Sequence, residues 1–234
     1  MSHIINITRI DGISKMLRKF LKVITVCTLF VDVVQTREKR AENCWQSVQS
    51  IYDYGDYNLW GRAIHFKNFQ DNILLLVNVA TFCEYSRQYQ GLNRLQVKYH
   101  NKERCGLKIF GIPCNQFAHK EPGNDAEEIY NGLRYVRPGN GFEPKITLLE
   151  KRDVNGNKED PLYTWLKTSC PSPNLAINQL SDITYTPVRN NDISWNFEKF
   201  LVNHKGKPWK RFTSAVEPEE MIEEIEKLIE MCKS

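Results

Sequence analysis

The sequence predicts an α/β protein built on one partly parallel, central mixed sheet, and three observations carry that expectation. Two near-continuous apolar runs, ILLLVNV at 73–79 and GLKIFGI at 106–112, are bounded by polar residues, as strands buried on both faces are. Helical periodicity alternates with them: after the first run Tyr85, Tyr89, Leu92 and Leu95 recur at helical spacing. Alternation of such strands with helices places helices on the faces of the sheet. With 234 residues, 41% of them hydrophobic, the chain can bury one good-sized core, and no shift in composition argues for two.

In chain order, RAIHFKNF at 62–69 reads as a strand, as does 73–79, followed by a helix over 84–97 and the strand at 106–112. EPGNDAEEIYNGLRYV at 121–136 opens on Pro-Gly and a helix capped by Asn124. KITLLEK at 145–151 is a strand, DVNGN at 153–157 a turn with the Asn-Gly signal, and DPLYTWLK at 160–167 a helix with Pro161 in its first turn. WNFEKFLVNHKGKPWKRF at 195–212 reads as two strands joined at 204–206. A last helix over 218–231 puts Met221, Ile222, Ile225, Leu228 and Ile229 on one face.

A net charge of +4 arises from 32 basic and 28 acidic residues spread along the chain, which is no nucleic-acid footprint. Seven cysteines, at 27, 44, 83, 105, 114, 170 and 232, contain no CxxC pair and no Cys/His spacing of a zinc site, so no metal is expected. Near the start, MLRKFLKVITVCTLFVDVVQT at 16–36 sets Arg18, Lys19 and Lys22 before the apolar run 23–31, which is too short to span a bilayer. It reads as a secretory signal peptide ending near Val34 and Thr36, against the alternative of an uncleaved interfacial anchor. Residues 1–36 are thus expected as a leader with a possible upstream extension before Met16, 37–46 as an N-terminal segment and 47–234 as the folded domain. The Asn6-Ile7-Thr8 glycosylation sequon falls in that extension. Secretion and no stable membrane association follow from this reading.

Cys83 stands where the apolar strand gives way to the helix. Backbone N–H groups and the positive end of a helix dipole there favour a thiolate. The alternative is a small buried hydrophobe, the commoner fate of a free cysteine.

NVATFC at 78–83, GIPCNQFAHKEPG at 111–123, YVRPGNGFEP at 135–144, DVNG at 153–156 and WNFEKFLV at 195–202 resemble, in order and spacing, the signature segments of glutathione peroxidases, over about residues 47–230. The leader, IYDYG at 51–55 and a cysteine in place of selenocysteine are similar to the extracellular, cysteine-containing branch. The resemblance implies a thioredoxin-like fold in which Cys83 attacks the peroxide, assisted by donors from Trp195 and Asn196 and reduced by thiols. Lys120 stands where the family has an assisting glutamine, and Glu84 where it has a glycine. Lys120 is expected to lower the Cys83 pKa and Glu84, if it faces the sulfur, to raise it. Gln116 belongs to the shared CNQF and is not promoted to the glutamine's role.

No cysteine lies between Cys114 and Cys170, where thioredoxin-using members carry a resolving thiol. The resemblance therefore implies glutathione as co-substrate, unless Cys105 or Cys114 serves by rearrangement. Arg211 is implied as a cation for a glutathione carboxylate, with a solvated strand arginine as the other reading. The segment 137–144 resembles a loop used between subunits, implying a homotetramer or dimer. Cys44 and Cys170 could pair in an oxidising compartment, though spacing alone does not license it. The rival functions are a thioredoxin-dependent peroxidase and a catalytically weak, secreted peroxide-sensing or structural protein.

Overall fold

A computed structural model describes residues 40–100, 104–177 and 179–234. The expected leader, 1–36, and its sequon lie outside the described residues. The first apolar run forms β4 (Ile73–Val79), all seven residues buried, and the second forms β5 (Leu107–Pro113), paired parallel to it from Ile73↔Leu107 to Val79↔Pro113. The other side of β4 pairs antiparallel with β7 (Lys199–Val202), which pairs with β8 (Pro208–Phe212). A short β1 (Ala41–Asn43) edges β8, and β6 (Thr147–Leu148) edges β5, giving the mixed order β1-β8-β7-β4-β5-β6. Burial of β4 and β5 on both faces explains why their sequences do not alternate.

The crossover from β4 to β5 is a 3-10 turn, Glu84–Arg87, continuing into helix α1 (Gln88–Lys98), which buries Tyr89, Leu92 and Leu95 as its periodicity predicts. Helix α2 (Ala126–Asn131) is capped by Asp125, whose Oδ1 accepts from Glu128 N at 2.9 Å, rather than by Asn124. Asp125 is the residue three positions before that free N–H, and its charge complements the dipole. A π-helical turn, Gly132–Val136, follows. Helix α3 (Pro161–Ser169) starts at Asp160, which accepts from Leu162 N, with Pro161 in the first turn as expected. Helix α4 (Ile222–Lys233) buries Ile225 and Leu228, and with them Cys232, while Ile222 and Ile229 are half-buried.

Three expected strands are shortened, the one expected from Trp195 beginning only at Lys199. RAIHFKNF yields only β3 (Ala63–His65), which forms a separate hairpin with β2 (Gly55–Tyr57). The chain then coils so that Phe66 and Phe69 both meet Phe110 edge-on, at 5.2 and 5.1 Å between ring centroids. KITLLEK contributes two strand residues before Leu149 and Glu150 turn to Asn58 and Tyr57 of the β2 region. The β7–β8 turn requires glycine at Gly206: its φ is 74° and a Cβ there would lie 2.2 Å from Ser50 Oγ.

Two disulfides join distant parts of the chain, Cys44–Cys170 and Cys105–Cys232. The first ties the β1 segment to the end of α3. The second ties α4 to the chain just before β5.

Candidate active site

The site is built where β4 ends. Beyond Val79 the chain turns through residues 80–82 and delivers Cys83 as the cap of the Glu84–Arg87 turn. That turn is held from several sides. Thr81 donates from both N and Oγ1 to Glu121 Oε2, each at 2.8 Å, and Phe82 N donates to Lys120 O at 2.9 Å. Arg137 Nη1 donates to Phe82 O at 3.0 Å. Within the turn Ser86 N donates to Cys83 O, and Tyr85 N points at Cys83 Sγ at 3.5 Å.

The second wall comes from the segment before β7. Asn78, a polar residue inside the buried strand β4, donates through Nδ2 to Trp195 O at 3.1 Å, and its own carbonyl accepts from Phe197 N at 2.6 Å. These bonds bend the chain so that Phe197 adopts φ 67°, a left-handed conformation costly for a bulky residue. The bend brings Trp195 and Asn196 near enough to Cys83 for both to lower its pKa. Asn196 is fully buried, and neither its amide nitrogen nor its amide oxygen has a hydrogen-bond partner among the described residues. Trp195 is packed against Phe117, 5.9 Å between ring centroids.

The acidity of Cys83 departs from the expectation of a depressed pKa. Its side chain is fully buried, and desolvation raises the pKa above the ordinary thiol value, with the Glu84 carboxylate pushing the same way. The Tyr85 N–H, Asn196 and Trp195 pull it down without overcoming burial. Glu84 therefore acts on the sulfur as its charge predicts, although it is exposed. Lys120 is half-buried, its backbone bonded to Phe82, and its ammonium is not among the chief influences on the thiol.

Arg211 requires a correction. Neither the glutathione-contacting nor the solvated reading holds, because the side chain is fully buried. Its guanidinium is spent on Glu198, at 2.8 Å, and on oxygens of Cys170, Asn191 and Asp192. Cys105 is bonded to Cys232 and is no free thiol. Cys114 is buried with its pKa pushed up to about 12, first of all by burial, in keeping with the structural reading. Gln116 is also structural: its Oε1 accepts from Val154 N and Asn155 N, and its Nε2 donates to Asn155 O.

Asn78, Glu121 and Arg137 position this site and were not singled out from sequence. Asn78 carried a signal, as the one polar residue of an otherwise apolar run.

A family model described as glutathione peroxidase matches residues 51–167. The epididymal secretory glutathione peroxidase of Sus scrofa is 45% identical over 185 residues, 78% of this chain and 82% of its own length. Glutathione peroxidase 3 of Caenorhabditis elegans is 42% identical over 188 residues, 80% of each chain. Among solved structures, one titled "Crystal structure of T. cruzi GPX1" superposes with a TM-score of 0.56 at 25% identity, covering 78% of this chain and 97% of that one. The mixed sheet, the thiol delivered at the end of β4 and these likenesses agree, and the chain belongs to the glutathione peroxidase family, an oxidoreductase acting on peroxides.

Proposed function

We propose that this enzyme reduces hydrogen peroxide and organic or lipid hydroperoxides with glutathione, outside the cell, through Cys83. The observation that carries the reading is a buried free thiol at the cap of the turn after β4, with Tyr85 N 3.5 Å from its sulfur and no described cysteine able to resolve it. Four of the other described cysteines are in disulfides, and Cys114 is held protonated by burial. The Cys83 thiolate attacks one peroxide oxygen, the O–O bond breaks, and the other oxygen leaves as alcohol or water on taking a proton. The sulfenic acid condenses with one glutathione, releasing water. A second glutathione cleaves the mixed disulfide to give oxidised glutathione and the free thiol.

Indole and amide N–H groups suit this task because both donate to a sulfur anion without competing for the oxidant. Arg137, exposed and bonded to the carbonyl next to Cys83, and half-buried Lys120 give the rim positive charge suited to the carboxylates of glutathione. In this reading the Lys120 ammonium adds a smaller pull toward the sulfur anion than the Tyr85 N–H, Asn196 and Trp195. Two disulfides on one chain fit an oxidising compartment and hence secretion. The loop 137–144, preceded by exposed Tyr135 and Val136, supports association into a homotetramer or dimer, checked by light scattering.

Cys83→Ser should abolish peroxide turnover while Cys114→Ser retains it, and steady-state rates with glutathione should exceed those with thioredoxin. Loss of turnover in Cys114→Ser, or preference for thioredoxin, refutes the scheme. A second reading, a slow peroxide sensor, is favoured by the burial of Cys83 and the charge of Glu84. Stopped-flow oxidation of Cys83 by peroxide separates the two.

A further inference from the structure

The segment that carries Trp195 and Asn196 is buried yet irregular: Ile193, Ser194, Trp195 and Asn196 are all buried and precede β7. Its backbone groups therefore lack a regular strand ladder and depend largely on side chains. Asn155 answers for Ile193, accepting from its N at 3.0 Å and donating to its O at 2.9 Å. Asn78 answers for the Trp195 carbonyl with its side chain and for Phe197 N with its main-chain carbonyl. Ser194 N and the carbonyls of Asn191 and Asp192 fall to one ion pair, Glu198 with Arg211, both fully buried.

The two oxygens of Glu198 divide the work. Oε2 takes Arg211 Nε at 2.9 Å and Nη2 at 2.8 Å. Oε1 takes Ser194 N at 2.6 Å, Ser194 Oγ at 2.8 Å and Asn174 Nδ2 at 2.8 Å. Arg211 reaches the same segment one step earlier, donating to Asn191 O and Oδ1 at 3.1 and 3.0 Å and to Asp192 O at 3.0 Å.

A buried ion pair adds little net stability over an apolar pair of equal volume, since desolvation offsets most of the attraction. What an apolar pair cannot supply is acceptors and donors for Asn191, Asp192 and Ser194. We propose that Glu198 and Arg211 are positioning residues for the reaction: they hold the chain immediately before Trp195 so that its indole and the Asn196 amide stay close to the Cys83 sulfur. The proposal rests on the reading of Cys83 as the peroxidatic thiol.

The test replaces the pair together, Glu198→Leu with Arg211→Met, so that no charge is left alone in the core. Cys83 ionisation is titrated, its oxidation by hydrogen peroxide is timed in stopped flow, and thermal unfolding is recorded on the same protein. Loss of alignment should slow oxidation about 10- to 100-fold and raise the thiol pKa further, in a variant that still unfolds cooperatively. Ser194→Ala, which removes only the Oγ bond to Glu198, should give the same pKa change on a smaller scale and serves if the double variant does not fold. A folded double variant, or failing that Ser194→Ala, with unchanged thiol titration and oxidation overturns the proposal.

Asn196→Ala is the parallel arm. If it alone leaves the thiol and the oxidation rate untouched, the reading of the site fails rather than the positioning role. If it slows oxidation, the paired substitution added to it should cost less than in the native background, because both act through one amide. Full additivity overturns the positioning role.

Discussion

Cys83 meets two opposed demands. In the role proposed for it the sulfur reacts as its anion, yet its full burial disfavours the anion more strongly than the Tyr85 N–H, Asn196 and Trp195 favour it. A raised folded pKa means that the reactive fraction grows with pH through the neutral range. The oxidation rate of Cys83 by hydrogen peroxide should therefore climb with pH and level off only above the value at which an exposed thiol ionises, about 8.5. Glu84→Gly removes the opposing carboxylate and should move this profile to lower pH, whereas Asn196→Ala should move it to higher pH. A profile already flat at pH 6 would contradict this account. Lys120→Met should slow oxidation near pH 7 and Lys120→Gln retain it, because the amide restores a donor; equal rates and equal thiol titration in all three would show that the side chain points away from the sulfur.

At the scale of elements, the first residue of α1 and strand β7 are fastened to the segment that follows β8. Gln88 Nε2 donates to Ser214 O at 2.8 Å, and Lys199, fully buried in β7, donates to the carbonyls of Thr213, Ser214 and Val216. Burial pushes the Lys199 pKa down to about 7, against the pull of Glu217, Glu198 and Glu220 and with the help of Arg87. Because the folded value lies below the unfolded one of 10.5, the unfolded chain binds the extra proton between about pH 7 and 10. This group's contribution to stability therefore rises with pH in that window, on the order of 2–3 kcal/mol between pH 7 and 9. Urea unfolding at both pH values should show that increment in the native protein, and Lys199→Met should lack it. The same elements show what the sequence could carry. Positions of β4, β5 and α1 were legible because two-sided burial and helical period are written locally. The acidity of Cys83 and the burial of Arg211 were not: the first depends on burial and on Trp195 and Asn196, far along the chain, and the second on Asn191, Asp192 and Glu198 folding back over the side chain. The cap at Asp125 and the early end of β6 likewise turn on geometry that composition leaves open.

Over the whole molecule, the two disulfides close stretches of similar length, with sequence separations of 126 and 127, so chain entropy alone predicts similar stabilisation of about 2–5 kcal/mol for each. Their places in the fold differ. Cys105 leads into β5 beside the start of β4, where Ile73 pairs with Leu107, at the opposite end of those strands from the turn that carries Cys83. Cys170 instead lends its carbonyl to Arg211, at 3.3 Å, within the bonding that fixes the Trp195 segment. Removing Cys105–Cys232 by paired serine substitution should lower stability by that amount and leave the rate of Cys83 oxidation within about twofold. Removing Cys44–Cys170 in the same way should lower stability comparably and also slow oxidation several-fold, because the Arg211 carbonyl partner is then free to shift. Denaturant unfolding and stopped-flow oxidation of the two variants, side by side, check the contrast. Equal effects on rate would mean that the disulfides act on the site only through global stability.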